Sequence, residues 1–147
     1  MTSEKLVLLI KNNAHELTKR LCRDILAREE TKSFVGIRED VLYERAYEVY
    51  SRLDTWLQGS RSQGAGVGKY FEKRGGKLFH EVIPLREEVM ALMLIKRHLW
   101  LFVLETSFFD STYELQQALQ FNNRVVLFFD RAIYHLVAGY QREMPRA

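Results

Sequence analysis

Four histidines, a lone cysteine and a glycine-rich run ending in lysine are the residues whose types can support chemistry in this chain. The run Gly64-Ala65-Gly66-Val67-Gly68-Lys69-Tyr70 has glycines of the kind that let backbone N–H groups approach a phosphate. It departs from a phosphate-binding loop at two essential places. Gln63 stands where the leading glycine belongs, and Tyr70 replaces the Ser or Thr that would hold magnesium. No strand precedes it, so the run reads as a surface loop. His15, His80, His98 and His135 have no second His or Cys at helical ligand spacing, which excludes HExxH and CxxC patterns. Haem would need an axial ligand such as His98 or His135 within a globin-like pattern, and no such pattern is present. The reading therefore assigns no metal, no cofactor and no catalytic residue, and the chain is expected not to be an enzyme.

Two histidines merit closer inspection. His15-Glu16-Leu17 resembles the start of the phosphoacceptor box of histidine kinases, but Thr18-Lys19-Arg20 does not continue it and no ATP-binding domain is evident. A phosphotransfer role at His15 is thus an alternative reading. His98 closes the run Lys96-Arg97-His98 in the most apolar part of the chain. At about 100° per residue, three consecutive positions span some 200° of a helix, so at least one cation lies near a buried face. It requires a carboxylate, such as Asp130 or Glu105, or an anionic ligand, because an unpaired buried charge costs several kcal/mol. Arg97, His98 and the nearby Trp100 are the expected ligand-binding or partner-binding residues.

The elements that must carry these residues follow from spacing. Apolar residues recur at three and four, and the two prolines, Pro84 and Pro145, leave long uninterrupted segments, so the class is all-α. Leu6, Ile10, Ala14, Leu17, Leu21 and Ile25 mark a first helix at about 4 to 29. Leu42, Ala46, Val49, Leu53 and Trp56 mark a second at about 39 to 57, stopped by Gly59. The glycine-rich residues 59 to 68 are expected to be a mobile loop. A third helix at about 68 to 82 has Phe71, Leu78 and Val82 on one face, and Gly75-Gly76 within it suggest a kink or a close backbone approach. Pro84 opens a fourth helix, about 84 to 106, apolar around most of its circumference and therefore placed at the centre. Ser111 and Glu114 form a capping box for a last helix over 112 to 143, whose apolar stripe runs through Leu115, Leu119, Val126, Phe129, Ile133, Val137 and Tyr140.

Composition sets the remaining bounds. A chain of 147 residues with 47% hydrophobic content supports one domain, 1–147, built as a bundle of about five helices with a long final one. The single Cys22 forms no internal disulfide, which together with the absence of a signal-peptide pattern points to the cytoplasm. Val89 to Leu104 is broken by three basic residues and is too short for the roughly 20 residues of a membrane span. A formal charge of +3 with alternating signs gives no footprint for nucleic acid.

Residues 76–89, Gly-Lys-Leu-Phe-His-Glu-Val-Ile-Pro-Leu-Arg-Glu-Glu-Val, followed by Leu94-Ile95-Lys96-Arg97-His98-Leu99-Trp100, resemble the RsbRD-like N-terminal domain of RsbR-type co-antagonist (stressosome) signalling proteins. Phe128-Phe129-Asp130-Arg131-Ala132 with Tyr140 is similar to that domain's last helix. The resemblance implies a non-catalytic sensory or regulatory input domain that acts on an output domain or partner protein through its final helix. The sequence departs from that pattern in ending at Ala147 without an output domain, as either a fragment or a stand-alone relative would. A scaffolding module without a ligand is the other alternative. Val126, Phe129, Ile133, Val137 and Tyr140 continue at spacings of three and four along the last helix. They are expected to pair with a second copy, giving a homodimer with the final helices side by side.

Overall fold

The computed structural model describes residues 3–57, 61–106 and 109–145. Among them the chain is all-helical: α1 (Ser3–Asn12), α2 (Ala14–Ala27), a 3-10 segment (Glu29–Gly36), α3 (Glu39–Leu57), α4 (Arg61–Phe79), α5 (Leu85–Thr106) and α6 (Thr112–Glu143). No helix among these residues is long and apolar enough to cross a membrane.

The expected first helix is two. Its apolar stripe from Leu6 to Ile25 is buried throughout, yet the backbone breaks at Asn13, with φ −120° and ψ 19°. The Asn13 side-chain amide donates to the Leu9 carbonyl (2.8 Å), and its N–H donates to the Ile10 carbonyl (3.1 Å). A short polar side chain here competes with the helical ladder and tightens the turn. α2 then stops at Ala27, and the buried Thr31 hydroxyl donates to the Ile25 carbonyl (2.6 Å), satisfying one of the acceptors a helix end leaves open.

α3 and α5 lie close to where periodicity places them. Pro84 caps α5 rather than occupying its first turn, since its carbonyl accepts from the N–H groups of Glu87 (3.0 Å) and Glu88 (3.2 Å). The 3-10 segment is tied to α5 by Glu87, whose buried carboxylate accepts from the Ser33 N–H (2.8 Å) and hydroxyl (2.6 Å). α5 is not the central helix. It lies against α2, the 3-10 segment and α6, and leaves Met93, Leu101 and Leu104 exposed; α6 packs against α1, α3, α4 and α5.

The segment expected as a loop is helical from Arg61 onward, so residues 61–68 form the first two turns of α4, while Gly59 lies outside the described residues. Glycine's poor helix propensity, about 1 kcal/mol per residue, is outweighed by tertiary contact. Val67 is buried, and a Cβ on Gly68 would stand 3.1 Å from the His135 ring of α6. α4 ends at Phe79 rather than at 82. Val82 sits in the following turn and is 91% exposed, and its neighbour Ile83 takes the core position instead.

The α6 bounds and its cap match the spacing: the Ser111 hydroxyl accepts from the Glu114 N–H (3.1 Å). Its buried face does not match. Ala118, Phe121, Val125, Phe128, Phe129, Ala132, Leu136 and Gly139 line the core, whereas Leu115 and Leu119 are exposed. The face is turned by about one residue, roughly 100°, from the stripe that the large apolar residues suggest.

Candidate functional site

Arg97, His98 and Trp100 do not converge on a common site. Arg97 is exposed, and Trp100 is half-buried at the core margin. His98 is half-buried, and its Nε2 lies 2.7 Å from Asp24 Oδ2 on α2; Arg28 holds the other Asp24 oxygen at 2.6 Å. The carboxylate partner is therefore Asp24, not Asp130 or Glu105. Partial burial raises the Asp24 pKa, but hydrogen bonds from Arg28 and His98 outweigh it and hold the carboxyl below its ordinary range. Glu105 instead pairs with Arg20 (2.6 Å).

His15 is exposed on α2, with Nδ1 hydrogen-bonded to the Tyr43 hydroxyl, and its acidic neighbour Glu16 is engaged by Arg20 (3.3 Å). Cys22 is half-buried, and burial, with a smaller effect of Glu39, pushes its thiol up to about 11. Among the described residues no three His, Cys, Asp or Glu side chains are grouped so that they could hold a metal. The stripe expected to pair with a second copy is largely engaged within the bundle. Phe129 is fully buried, Ile133 and Tyr140 pack against the core, and Val126 and Val137 are half-buried.

A denser arrangement lies where α3, α4 and the start of α5 meet. Arg45 grips Glu81 with two nitrogens (3.0 and 3.1 Å), and Arg74 pairs with Glu88 (3.1 Å) while approaching Glu81 (3.8 Å). Glu88 is nearly buried, and its second oxygen, Oε2, has no hydrogen-bond partner. Behind these charges lies a small apolar cavity of about 30 Å³, lined among others by Ile25, Phe34, Ala46 and Leu92. In front of them, between α3 and α4, opens a cleft of about 320 Å³ bounded by Arg45, Arg52, Lys73, Arg74 and Lys77, with Glu48 and Tyr70. Arg52 pairs with Glu48 (2.8 Å) and lies 5.3 Å from the centre of the Tyr70 ring. Burial, followed by the charge of Glu48 and a hydrogen bond to its carboxylate, pushes the Tyr70 phenol up to about 12, so it stays neutral.

The back of α4 is fastened to α6 main chain against main chain. A Cβ on Gly75 would fall on the Leu136 carbonyl, 2.9 Å from its carbon and from the Tyr140 nitrogen. A Cβ on Gly139 would fall on the Glu72 carbonyl, 2.7 Å from its carbon. Around this seam His135 Nδ1 lies 3.1 Å from the Glu72 carboxylate, and the Phe79 and Tyr140 rings meet edge to face at 5.3 Å. The sequence signalled the seam only as a close approach at Gly75-Gly76; the charged corner joins residues up to 43 positions apart, Arg45 to Glu88, and no local motif announces it.

No family model, no curated protein and no solved structure matches this chain.

Proposed function

We propose that the chain is a non-catalytic signal-input domain, in which a change at the α3–α4 cleft is passed to α6 across the glycine seam. The observation that carries this reading is the seam itself. α4 supplies one wall of the cleft on one side and main-chain contact with α6 on the other, which supports a route by which a shift of α4 is felt by α6. α6 reaches α1, α3 and α5 as well, and about 48 Å of helix is long enough to carry a displacement across the bundle to an output domain or partner. This agrees with what the RsbRD-like resemblance implies, a regulatory input module with no reaction of its own.

Hydrogen exchange tests the coupling. Arg45→Ala in the cleft is expected to change amide protection over residues 132–143 of α6, whereas Arg38→Ala, on an exposed pair with Asp40, is expected to leave it unchanged. Equal protection in both variants would refute the coupling.

The reading includes a second copy as partner, docked on a different surface from the one periodicity suggests. Leu101 and Leu104 near the end of α5, Leu115 and Leu119 near the start of α6, and Met93 of α5 are all exposed. Exposed apolar area of this kind marks interaction surfaces. Light scattering of the wild type and of Leu104→Glu/Leu119→Glu decides this. A dimer that becomes a helical monomer supports the surface, and a monomeric mass in both rules it out.

A further inference from the structure

The α3–α4 cleft holds more positive charge than the carboxylates around it neutralise. Glu48, Glu81 and Glu88 pair with Arg52, Arg45 and Arg74. Lys73 and Lys77 are exposed and have no carboxylate partner among the described residues. They stand one turn apart on the same side of α4, about 6 Å along the axis, so their ammonium groups can converge on one ligand. The recess is concave, and about 320 Å³ falls within the usual range of small-molecule sites. Arg52 lies across from them, held on the Tyr70 ring, while the Tyr70 hydroxyl on the same wall is engaged by Glu48.

We propose that this cleft binds a small dianion, a phosphate group free or as the ester of a small molecule, with Lys73 and Lys77 as its main ligands and Arg52 as the third. Two unpaired cations in a recess match two negative charges, and a monoanion leaves one cation unmatched. The proposal names the ligand class for the input site proposed above and so rests on that reading for its consequence, while the binding itself is measured independently.

The test is an NMR titration of the full chain with inorganic phosphate at low ionic strength. Saturable shifts at Lys73, Lys77 and Tyr70 are expected, with sulfate acting similarly and acetate binding at least about tenfold more weakly. Lys73→Gln/Lys77→Gln is expected to weaken binding by at least about tenfold. Glu48→Gln, which frees Arg52, is expected to tighten it by roughly threefold or more, whereas Asp40→Asn, the same change of net charge outside the cleft lining, is expected to tighten it less. Unsaturable shifts, full affinity in the double lysine variant, or an equal gain from Asp40→Asn would overturn the site. Binding to vesicles containing phosphatidic acid without any response to free phosphate would also overturn it, in favour of a membrane surface. Saturable phosphate binding that leaves α6 exchange unchanged keeps the site and removes the signalling reading.

Discussion

Gly75 of α4 rests directly on the main-chain carbonyl of Leu136 in α6, and Gly76, one position later, has room for a side-chain carbon at ordinary contact distance. The nearest atom to a Cβ on Gly76 is a side-chain carbon of Glu143 at 3.7 Å, an ordinary contact. Adjacent and chemically identical residues therefore have opposite expected responses to one methyl group. Gly75→Ala forces backbone apart from backbone and is expected to cost about 3 kcal/mol or more. Gly76→Ala is expected to be neutral or to stabilise by up to about 1 kcal/mol through helix propensity. Denaturant midpoints measure both, and equal effects would dismiss the seam as the fastening of α4.

Arg74 and Glu88 form the most enclosed ion pair at the α4–α5 corner. Arg74→Met leaves Glu88 buried with no cation at ion-pair distance, which is expected to destabilise by about 3 kcal/mol. Arg74→Met combined with Glu88→Leu removes both charges and is expected to recover more than half of that loss. A single-variant loss below about 1 kcal/mol in urea unfolding would show that the pair does not hold the corner.

Asp24, held by Arg28 and His98, gives the bundle a defined acid response. Its carboxyl has a folded pKa below the unfolded one, so its contribution is present above the ordinary carboxylate range and is lost as pH falls through the lowered value. Stability measured downward from about pH 5 is expected to fall more steeply in the wild type than in Asp24→Asn. Parallel curves would contradict the assignment.

Cys22 is expected to be a slow thiol. With its pKa pushed up to about 11 by burial, the thiolate is scarce at neutral pH. Alkylation by iodoacetamide is expected to proceed at least about tenfold faster in denaturant than in the native protein, since the unfolded thiol returns to a pKa near 8.5. Equal rates would place Cys22 in an open, polar setting.

Helices whose signals are local were legible in the sequence. α3, α5 and α6 have strong periodicity and recognisable ends, and the cap at Ser111 is a four-residue pattern. Asn13 escaped notice because the apolar stripe runs through it unbroken; only its side-chain hydrogen bond breaks the helix. Residues 61–68 were misread because glycine propensity argues for a loop, while the compensating contacts come from α6, some 65 residues away. The same small residues hid the core face of α6. Ala118, Ala132 and Gly139 weigh little on any hydrophobic scale, yet they mark where helices approach most closely, and the eye follows Leu115 and Leu119 to the wrong side. Of the run Lys96-Arg97-His98, periodicity says that one member needs a carboxylate or an anion, but not that it is His98 or that the carboxylate is Asp24. The cleft itself assembles charges from two helices, α3 and α4, and periodicity carries no information about which of them face one another.

The central position of α6 has a consequence for the order in which the protein acquires its structure. Phe121, Val125, Phe129, Ala132 and Leu136 are all fully buried, and the helix bearing them lies against α1 at the opposite end of the chain. During synthesis the first five helices emerge before the surface that shields them exists, and contacts of such long sequence separation form late. Until α6 docks, Phe71 of α4 lacks the Phe128 ring that covers it. The nascent chain therefore passes through a stage of exposed apolar surface that ends in one step, when the last helix closes over it.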